Sequence, residues 1–397
     1  MSQKVISGLD HLCEDKSLQK KYSGKVGYLC HSASVGKNFR HGLYMMQETF
    51  GKRLTKVFAP QHGFVTDVQD NMVESNHYTH PFFQLPIYSL YSETRIPTDE
   101  MLEGLDHIFV DLQDIGTRIY TYVYTMTHLM EACRNKDIDV VILDRPNPIG
   151  GVDLEGNILE AKFNSFVGRH PCPVRHGLTM AEFALMAKKY WGSECKLDYV
   201  KMPGWKREMY FEDTQMPWVM PSPNIPMVDS CFPFVGTVLF EGTNISEGRG
   251  TTHSLEIVGH PGIEAFSFYE KHLKKVFEKS GLKGFILRPL VFMPTFQKHA
   301  GKQCGGYQIH VTDRKEFKSW RVSQILCREF YHHLGEKFQW KKAPYEYVHD
   351  REPIDVINGT DKIRLWVEKN GKNEELDHFE NESMQQYKEA IKTIFLY

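Results

Sequence analysis

In Ile108-Phe-Val-Asp-Leu-Gln-Asp-Ile-Gly-Thr-Arg-Ile-Tyr-Thr-Tyr-Val-Tyr124 a short apolar run meets an acidic turn and a tyrosine-rich helix start. Ile108 to Val110 reads as a buried strand that ends at Asp111. Gly116 then turns the chain into a helix running to about Arg134. In an open α/β sheet, ligands bind beyond the carboxyl ends of the parallel strands. Asp111, Asp114 and Arg118 are therefore expected at the rim of such a crevice. Asp114 also suits a simple helix cap with Arg118 as its ion-pair partner. Two acids, a glutamine, an arginine and three tyrosines around one turn exceed what a cap requires, and that surplus favours a site.

Comparable strand ends recur on both sides. Lys25 to Cys30 is a strand ending at His31. A helix from about Asn38 to Thr49 leads to a strand from Leu54 to Ala59, followed by Pro60-Gln-His-Gly-Phe64. Asp139 to Leu143 is another buried strand, ending at Asp144. Strands alternating with helices imply βαβ units and a mainly parallel sheet, an α/β Rossmann-like arrangement. His31, His62, Asp111 and Asp144 then share one sheet edge. Gly36-Lys37 is no phosphate loop, because the second glycine and the Gly-Lys-Ser/Thr ending are missing.

With 397 residues the chain exceeds what one core usually supports, roughly 250–300 residues. We read a Rossmann-like domain over residues 1–240, carrying most motifs, and a smaller α/β domain over 241–397, with a cleft between them. Helices are expected near 264–280, 316–335 and 383–395, and short strand-like pieces from Lys341 to Asn373. Thr179 and Glu182 form a capping box for a helix reaching about Tyr190. A net charge of −2 gives no electrostatic footprint for nucleic acid or for a membrane surface. The polar N-terminus, the lack of a transmembrane-length apolar run and eight scattered cysteines suit a cytoplasmic protein with free thiols. No compact His/Cys spacing suggests a metal.

Three further stretches stand out. Residues 65–84 form a long polar loop of the kind that is usually functional or disordered, and Tyr78, Phe82 and Phe83 favour an ordered binding loop. The segment 202–234 is rich in proline, tryptophan and methionine, which suits a rigid crossing or an aromatic wall for a sugar. Phe240-Glu-Gly-Thr-Asn-Ile-Ser-Glu-Gly-Arg-Gly-Thr-Thr252 has three glycines among two glutamates, an arginine and several hydroxyls, and Glu241 is expected to leave an apolar strand directly into it.

Pro60-Gln-His-Gly-Phe64, Pro86-Ile-Tyr-Ser-Leu-Tyr91, Asp111-Leu-Gln-Asp-Ile-Gly-Thr-Arg118, Leu143-Asp-Arg-Pro-Asn-Pro-Ile-Gly-Gly151, Ser165-Phe-Val-Gly168, Arg175-His-Gly-Leu-Thr179, Pro221-Ser-Pro-Asn-Ile-Pro226 and Glu241-Gly-Thr-Asn-Ile-Ser-Glu-Gly-Arg-Gly-Thr251 occur in that order. Together they resemble the bacterial exo-β-N-acetylmuramidase family, long catalogued as a domain of unknown function. The resemblance is dense over about residues 24–262. It implies a Rossmann-like domain, a smaller α/β domain and a cleft. It also implies release of N-acetylmuramic acid from non-reducing ends of peptidoglycan fragments, in cell-wall recycling, without an organic cofactor. One position departs from the pattern: many members have a candidate catalytic Glu where this chain has Gln61, and an amide cannot act as acid or base. The loop Thr66-Asp-Val-Gln-Asp-Asn-Met-Val-Glu-Ser-Asn76 also lacks the commoner Ala-Gly-Glu.

Glycoside hydrolysis canonically uses two carboxyl groups. The candidate pool is Glu74, Asp111, Asp114, Glu241 and Glu247, with Glu241 first. Arg118 and Arg249 suit an anionic group such as a lactyl carboxylate. Gln61, His62, Tyr122, Asp144, Asn224, Thr243 and Asn244 complete the candidate substrate-binding set. Gln61 motivates a competing reading, a non-catalytic muropeptide- or sugar-binding protein. A serine or cysteine esterase finds no support, because no Gly-x-Ser-x-Gly elbow is present.

Overall fold

The computed structural model describes residues 4–69 and 73–397; Asp70, Asn71 and Met72 of the polar loop lie outside them. Its main sheet contains β1 (Val26–Cys30), β2 (Leu54–Ala59), β3 (Tyr78–Thr79), β4 (Pro86–Ser89), β5 (His107–Asp111), β6 (Asp139–Leu143) and β7 (Lys196–Val200). The order is β3-β4-β2-β1-β5-β6-β7, and all neighbours pair in parallel except the short edge strand β3. Burial on both faces explains why β1 and β5 read as unbroken apolar runs, with all five residues of each buried. Their side chains still alternate. Tyr28, Phe109 and Val141 pack with Leu43, Met46 and Phe50 on one face, whereas Leu29, Val110 and Ile142 join the larger core on the other.

The chain reverses its direction of progress across the sheet between β1 and β5, where Cys30 lies opposite Asp111. This is the topological switch point at which such sheets open a crevice. Parallel pairing puts His31, His62, Asp111 and Asp144 on the same edge, after β1, β2, β5 and β6.

A second, antiparallel sheet has the order β8-β10-β9, from Ile257–His260, Cys304–Val311 and Phe285–Phe292. The helix Ser319–Leu334 is held close to the helix Cys231–Thr237, where Gly236 leaves no room for a side chain: a Cβ there would lie 2.1 Å from the Ser319 carbonyl oxygen. One hydrophobic cluster runs from the main sheet through these helices to Ile394. The chain end then returns to the first sheet, where the Tyr397 hydroxyl donates to Asp144 at 2.8 Å. Among the described residues, no helix is long and apolar enough to cross a membrane.

Three local readings need correction. The helix after β5 begins at Tyr122, not Gly116, because residues 112–121 form a turn whose polar side chains fold back onto backbone. Glu241 follows no strand; it sits in a tight turn, Val238–Gly242, that continues the helix Cys231–Thr237. The charged stretch after Lys341 contains helices, Pro353–Asn358 and Lys362–Glu368, whose apolar residues Ile354, Ile357, Ile363 and Trp366 are buried. The Thr179–Glu182 capping box is present as read.

Candidate active site

Beyond β2 the chain bends sharply through His62 and Gly63, at φ 70° and 74°, closing a turn in which the Gly63 amide donates to the Pro60 carbonyl at 3.0 Å. The bend aims Gln61 and His62 into a cavity. Ile119, Tyr120, Thr121 and Tyr122 enter it from beyond β5, Ser222 and Asn224 from the proline-rich segment, Glu241 and Arg249 from the glycine-rich loop, and Tyr345 and Glu346 from the last third of the chain. The enclosed volume is only ≈ 50 Å³. That admits a few water-sized groups but not a pyranose ring. A second depression of ≈ 520 Å³, lined by Thr243, Asn244, Glu247, Lys298 and Trp340, meets the first at Glu241.

Glu241 is the centre of a buried ion network. One carboxylate oxygen accepts from Arg249 and the other from the Tyr345 hydroxyl at 2.7 Å. Arg249 also pairs with Glu247 at 3.2 Å, and Glu247 accepts from Lys298 at 2.6 Å. Burial alone would raise the Glu241 pKa, but Arg249 and the Tyr345 hydroxyl outweigh it and hold the carboxyl below its usual range. Glu241 is therefore an ionised carboxylate in a buried site. His62 is the converse case: burial pushes its pKa down to about 4, so it is neutral at pH 7. Its Nδ1 lies 3.0 Å from the Val68 carbonyl, which can only accept, so Nδ1 carries the proton and Nε2 is left as an acceptor. The Gln61 carbonyl oxygen accepts from Thr121 at 2.7 Å, which leaves the amide NH₂ as the donor end. Tyr122 donates to the Pro221 carbonyl at 2.6 Å and so fixes the proline-rich wall against the sheet.

The cavity thus gathers Gln61, His62, Tyr122, Asn224, Glu241 and Arg249 from the sequence-read set. Asn224 lines it, although its amide oxygen accepts from Ser254 and its NH₂ donates to the Gln69 carbonyl. The other candidates lie elsewhere. Asp111 is fully buried, accepting from Arg145 at 2.5 Å and from the Tyr28 hydroxyl at 2.5 Å, so it braces the switch point from beneath. Asp114 accepts from the Gly116 amide at 2.6 Å and stabilises the turn. Asp144 caps the helix Met180–Tyr190, accepting from the Ala181 amide and the Thr179 hydroxyl. Among the described residues Arg118 meets no anion; its guanidinium donates to the carbonyls of Asn157, Cys172, Ile357 and Asn358 and sews the two halves of the chain together. Thr243 and Asn244 bond to neighbouring backbone, at Phe240 and Lys337. Glu74 is exposed and accepts from Arg95 and from Tyr347.

The tryptophans expected as a sugar wall do not line the cavity either. Trp205 packs on Tyr397 and Trp218 on Phe211, and the aromatic walls are instead Tyr120, Tyr122, Phe234 and Tyr345. Sequence reasoning passed over Tyr345 and Glu346. Tyr345-Glu-Tyr347 packs an acid between tyrosines, the same kind of local surplus that marks residues 108–124. Among the described residues, no group of three or more His, Cys, Asp or Glu side chains is placed to hold a metal ion.

Comparison with known proteins bears on this site. The chain matches the family models described as exo-beta-N-acetylmuramidase NamZ, N-terminal over residues 26–229 and C-terminal over residues 232–397. It is 37% identical over 394 residues to the peptidoglycan beta-N-acetylmuramidase NamZ of Bacillus subtilis (strain 168), covering 99% of this chain and 92% of that protein. A crystal structure of a DUF1343 family protein from Bacteroides fragilis NCTC 9343 superposes with a TM-score of 0.87 at 28% identity, covering 99% of both chains. A second protein of that family and organism gives a TM-score of 0.74 at 25% identity, covering 100% of this chain and 99% of the other.

Proposed function

The chain belongs to the exo-beta-N-acetylmuramidase NamZ family, and on that footing we infer that its cavity is the active site of a glycoside hydrolase. The enzyme releases N-acetylmuramic acid from the non-reducing ends of peptidoglycan fragments. One observation carries the site assignment: Glu241, kept ionised by Arg249 and Tyr345, lines one small cavity with a neutral His62 and the amide of Gln61, beyond the strand ends of the sheet. An ionised carboxylate in low dielectric opposes the positive charge that develops at the anomeric carbon of an oxocarbenium-like transition state. The replacement of a family carboxyl by Gln61 does not empty the site of acids, because Glu241 remains. Gln61, as an NH₂ donor, suits the acetamido carbonyl or a sugar hydroxyl.

A pyranose needs more room than the enclosed volume provides. Substrate entry then needs the cavity to widen; Tyr345 and Glu346 form one of its walls, and the adjoining Tyr347 is held by Glu74 and Arg95. Small-sugar release of this kind suits cell-wall recycling, which we include in the reading.

Hydrolysis of a 4-nitrophenyl β-N-acetylmuramide tests the assignment. The wild type should turn it over, and Glu241→Gln, nearly isosteric, should bind it while losing several orders of magnitude in kcat. Near-wild-type kcat in that variant would remove Glu241 from the chemistry.

A further inference from the structure

Glycoside hydrolysis canonically needs a second carboxyl group, a proton donor to the leaving oxygen. Gln61 cannot supply it, and Asp111, Asp114, Asp144, Glu247 and Glu74 do not line the cavity. Among the described residues, the carboxyl that does, besides Glu241, is Glu346, only 4% exposed. It is carried by a segment in which Glu346 and Tyr347 both take left-handed backbone, at φ 43° and 66°, without glycine. Such strain in consecutive residues persists only when surrounding contacts over-determine it, and it collects at functional sites. Those contacts are present. The Tyr345 hydroxyl donates to Glu241, the Tyr91 hydroxyl donates to Glu346 at 3.1 Å, and the Tyr347 hydroxyl donates to Glu74 at 2.8 Å. Arg95 lies against the rings of both Tyr91 and Tyr347.

We propose that Glu346 is the proton donor to the aglycone in this enzyme, working opposite Glu241. The proposal rests on the glycosidase reading above. As the C1–O bond breaks, its electron pair stays with the glycosidic oxygen, which takes the proton from Glu346. Glu241 meets the charge left at C1. Water supplies the hydroxyl that closes C1, and the proton it gives up restores the starting charge of the pair.

The surroundings suit each role. Burial pushes the Glu346 carboxyl up to about 7, with the Tyr91 hydroxyl opposing and the charge of Glu241 adding to the rise. Arg95, from the loop after β4, and Lys341, on its own segment, pull the other way; Tyr345 and Tyr347 flank it. Glu241 has Arg249 and is held down. Two carboxyls in one cavity with pKa values driven apart are the arrangement from which acid and anion are assigned.

Two substrates that share the muramoyl group separate this role from a structural one. A 2,4-dinitrophenyl N-acetylmuramide leaves without protonation, whereas the disaccharide N-acetylmuramyl-N-acetylglucosamine does not. In Glu346→Gln, disaccharide hydrolysis should fall by about 10²–10⁴-fold and aryl hydrolysis by less than about tenfold. The alkaline limb of the kcat profile should also vanish, because the acid must be protonated to act. Equal losses on both substrates, or an unchanged alkaline limb, would overturn the proposal. Tyr91→Phe provides a test that leaves Glu346 in place: removing a hydroxyl that favours the ionised form should move the alkaline limb to higher pH, and an unmoved limb counts against Glu346. Failure of the wild type on both substrates would instead remove the glycosidase reading, and this proposal with it.

Discussion

Arg249→Met tests whether the ionisation of Glu241 is a property built by this site. The methionine keeps most of the side-chain volume and removes the charge. Arg249 contacts Glu241 and Glu247, but the two carboxylates are not equally dependent on it. Glu247 keeps a direct ion pair with Lys298 at 2.6 Å, whereas Glu241 keeps the Tyr345 hydroxyl at 2.7 Å and feels Lys298 only through its field. Breaking a buried ion pair by removing one partner costs about 3–5 kcal/mol. With Glu247 still neutralised, the cost should fall near the lower end, about 3 kcal/mol at neutral pH. Its pH dependence has a definite sign. In the wild type the depressed pKa of Glu241 adds stability above the unfolded value, 4.5, and that stability is lost as pH falls. In the variant, burial goes unopposed by the arginine and the pKa rises, so the deficit is greatest at neutral pH and shrinks towards acid. Urea unfolding at about pH 7 and about pH 5 measures both values. The acidic limb of the kcat profile should move to higher pH in parallel. Adding Glu241→Gln to Arg249→Met should recover about 2 kcal/mol of the loss, since the two residues touch. A pH-independent deficit together with strictly additive single effects would refute the argument that Arg249 sets the charge of Glu241.

Three other outcomes follow from residues placed outside the cavity. Arg118→Met should destabilise the fold by about 3 kcal/mol or more, because four buried carbonyls lose a charged donor; thermal unfolding should show the loss while KM of the folded fraction stays unchanged. Glu74→Gln should alter KM more than kcat, because Glu74 accepts from Arg95 and from Tyr347, the residue next to the cavity-lining Glu346; a loss of orders of magnitude in kcat would restore it as a catalytic candidate. Burial raises the Asp144 carboxyl to about 7 against 3.8 unfolded, so the stability tied to its protonated form is lost as pH rises through about 7. Asp144→Asn should flatten that part of the urea midpoint profile, and an unaltered slope would contradict the raised value.

The centre of the parallel sheet was legible because β1, β5 and β6 are buried nearly throughout. Leu54–Ala59 and Asp139–Leu143 match the strands read there residue for residue, β1 is one residue shorter and β5 one residue longer at each end, while the shorter or more exposed β3, β4 and β7 were not read. The antiparallel sheet was not. β9 is an edge strand, half open to solvent, and Phe285-Ile-Leu-Arg-Pro-Leu-Val-Phe292 places a charge and a proline where a central strand would have neither. Its pattern is the one an edge tolerates, and edge position is not written in local sequence.

The site divides along the same line. Motif density led to Gln61, His62, Tyr122, Asn224, Glu241 and Arg249, which the fold brings to one cavity from four separate segments. Local chemistry could not say what each arginine would meet. Arg118 and Arg249 both stand in glycine-bearing polar loops, yet one faces four carbonyl oxygens and the other two carboxylates. The difference comes from which remote segments pack over them: the C-terminal end of Pro353–Asn358 over Arg118, and Glu241 with Glu247 around Arg249. A helix C-terminus offers carbonyl oxygens with partial negative charge, enough to hold an arginine for structure but with no room for a ligand anion. Glu346 was missed for the same reason. Nothing within its own segment, apart from the flanking tyrosines, indicates that Tyr91, more than 250 positions earlier in the chain, will hold its carboxyl beside Glu241. Its role depends on long-range closure, so the chemistry of this enzyme is set by contacts between distant segments more than by any single motif.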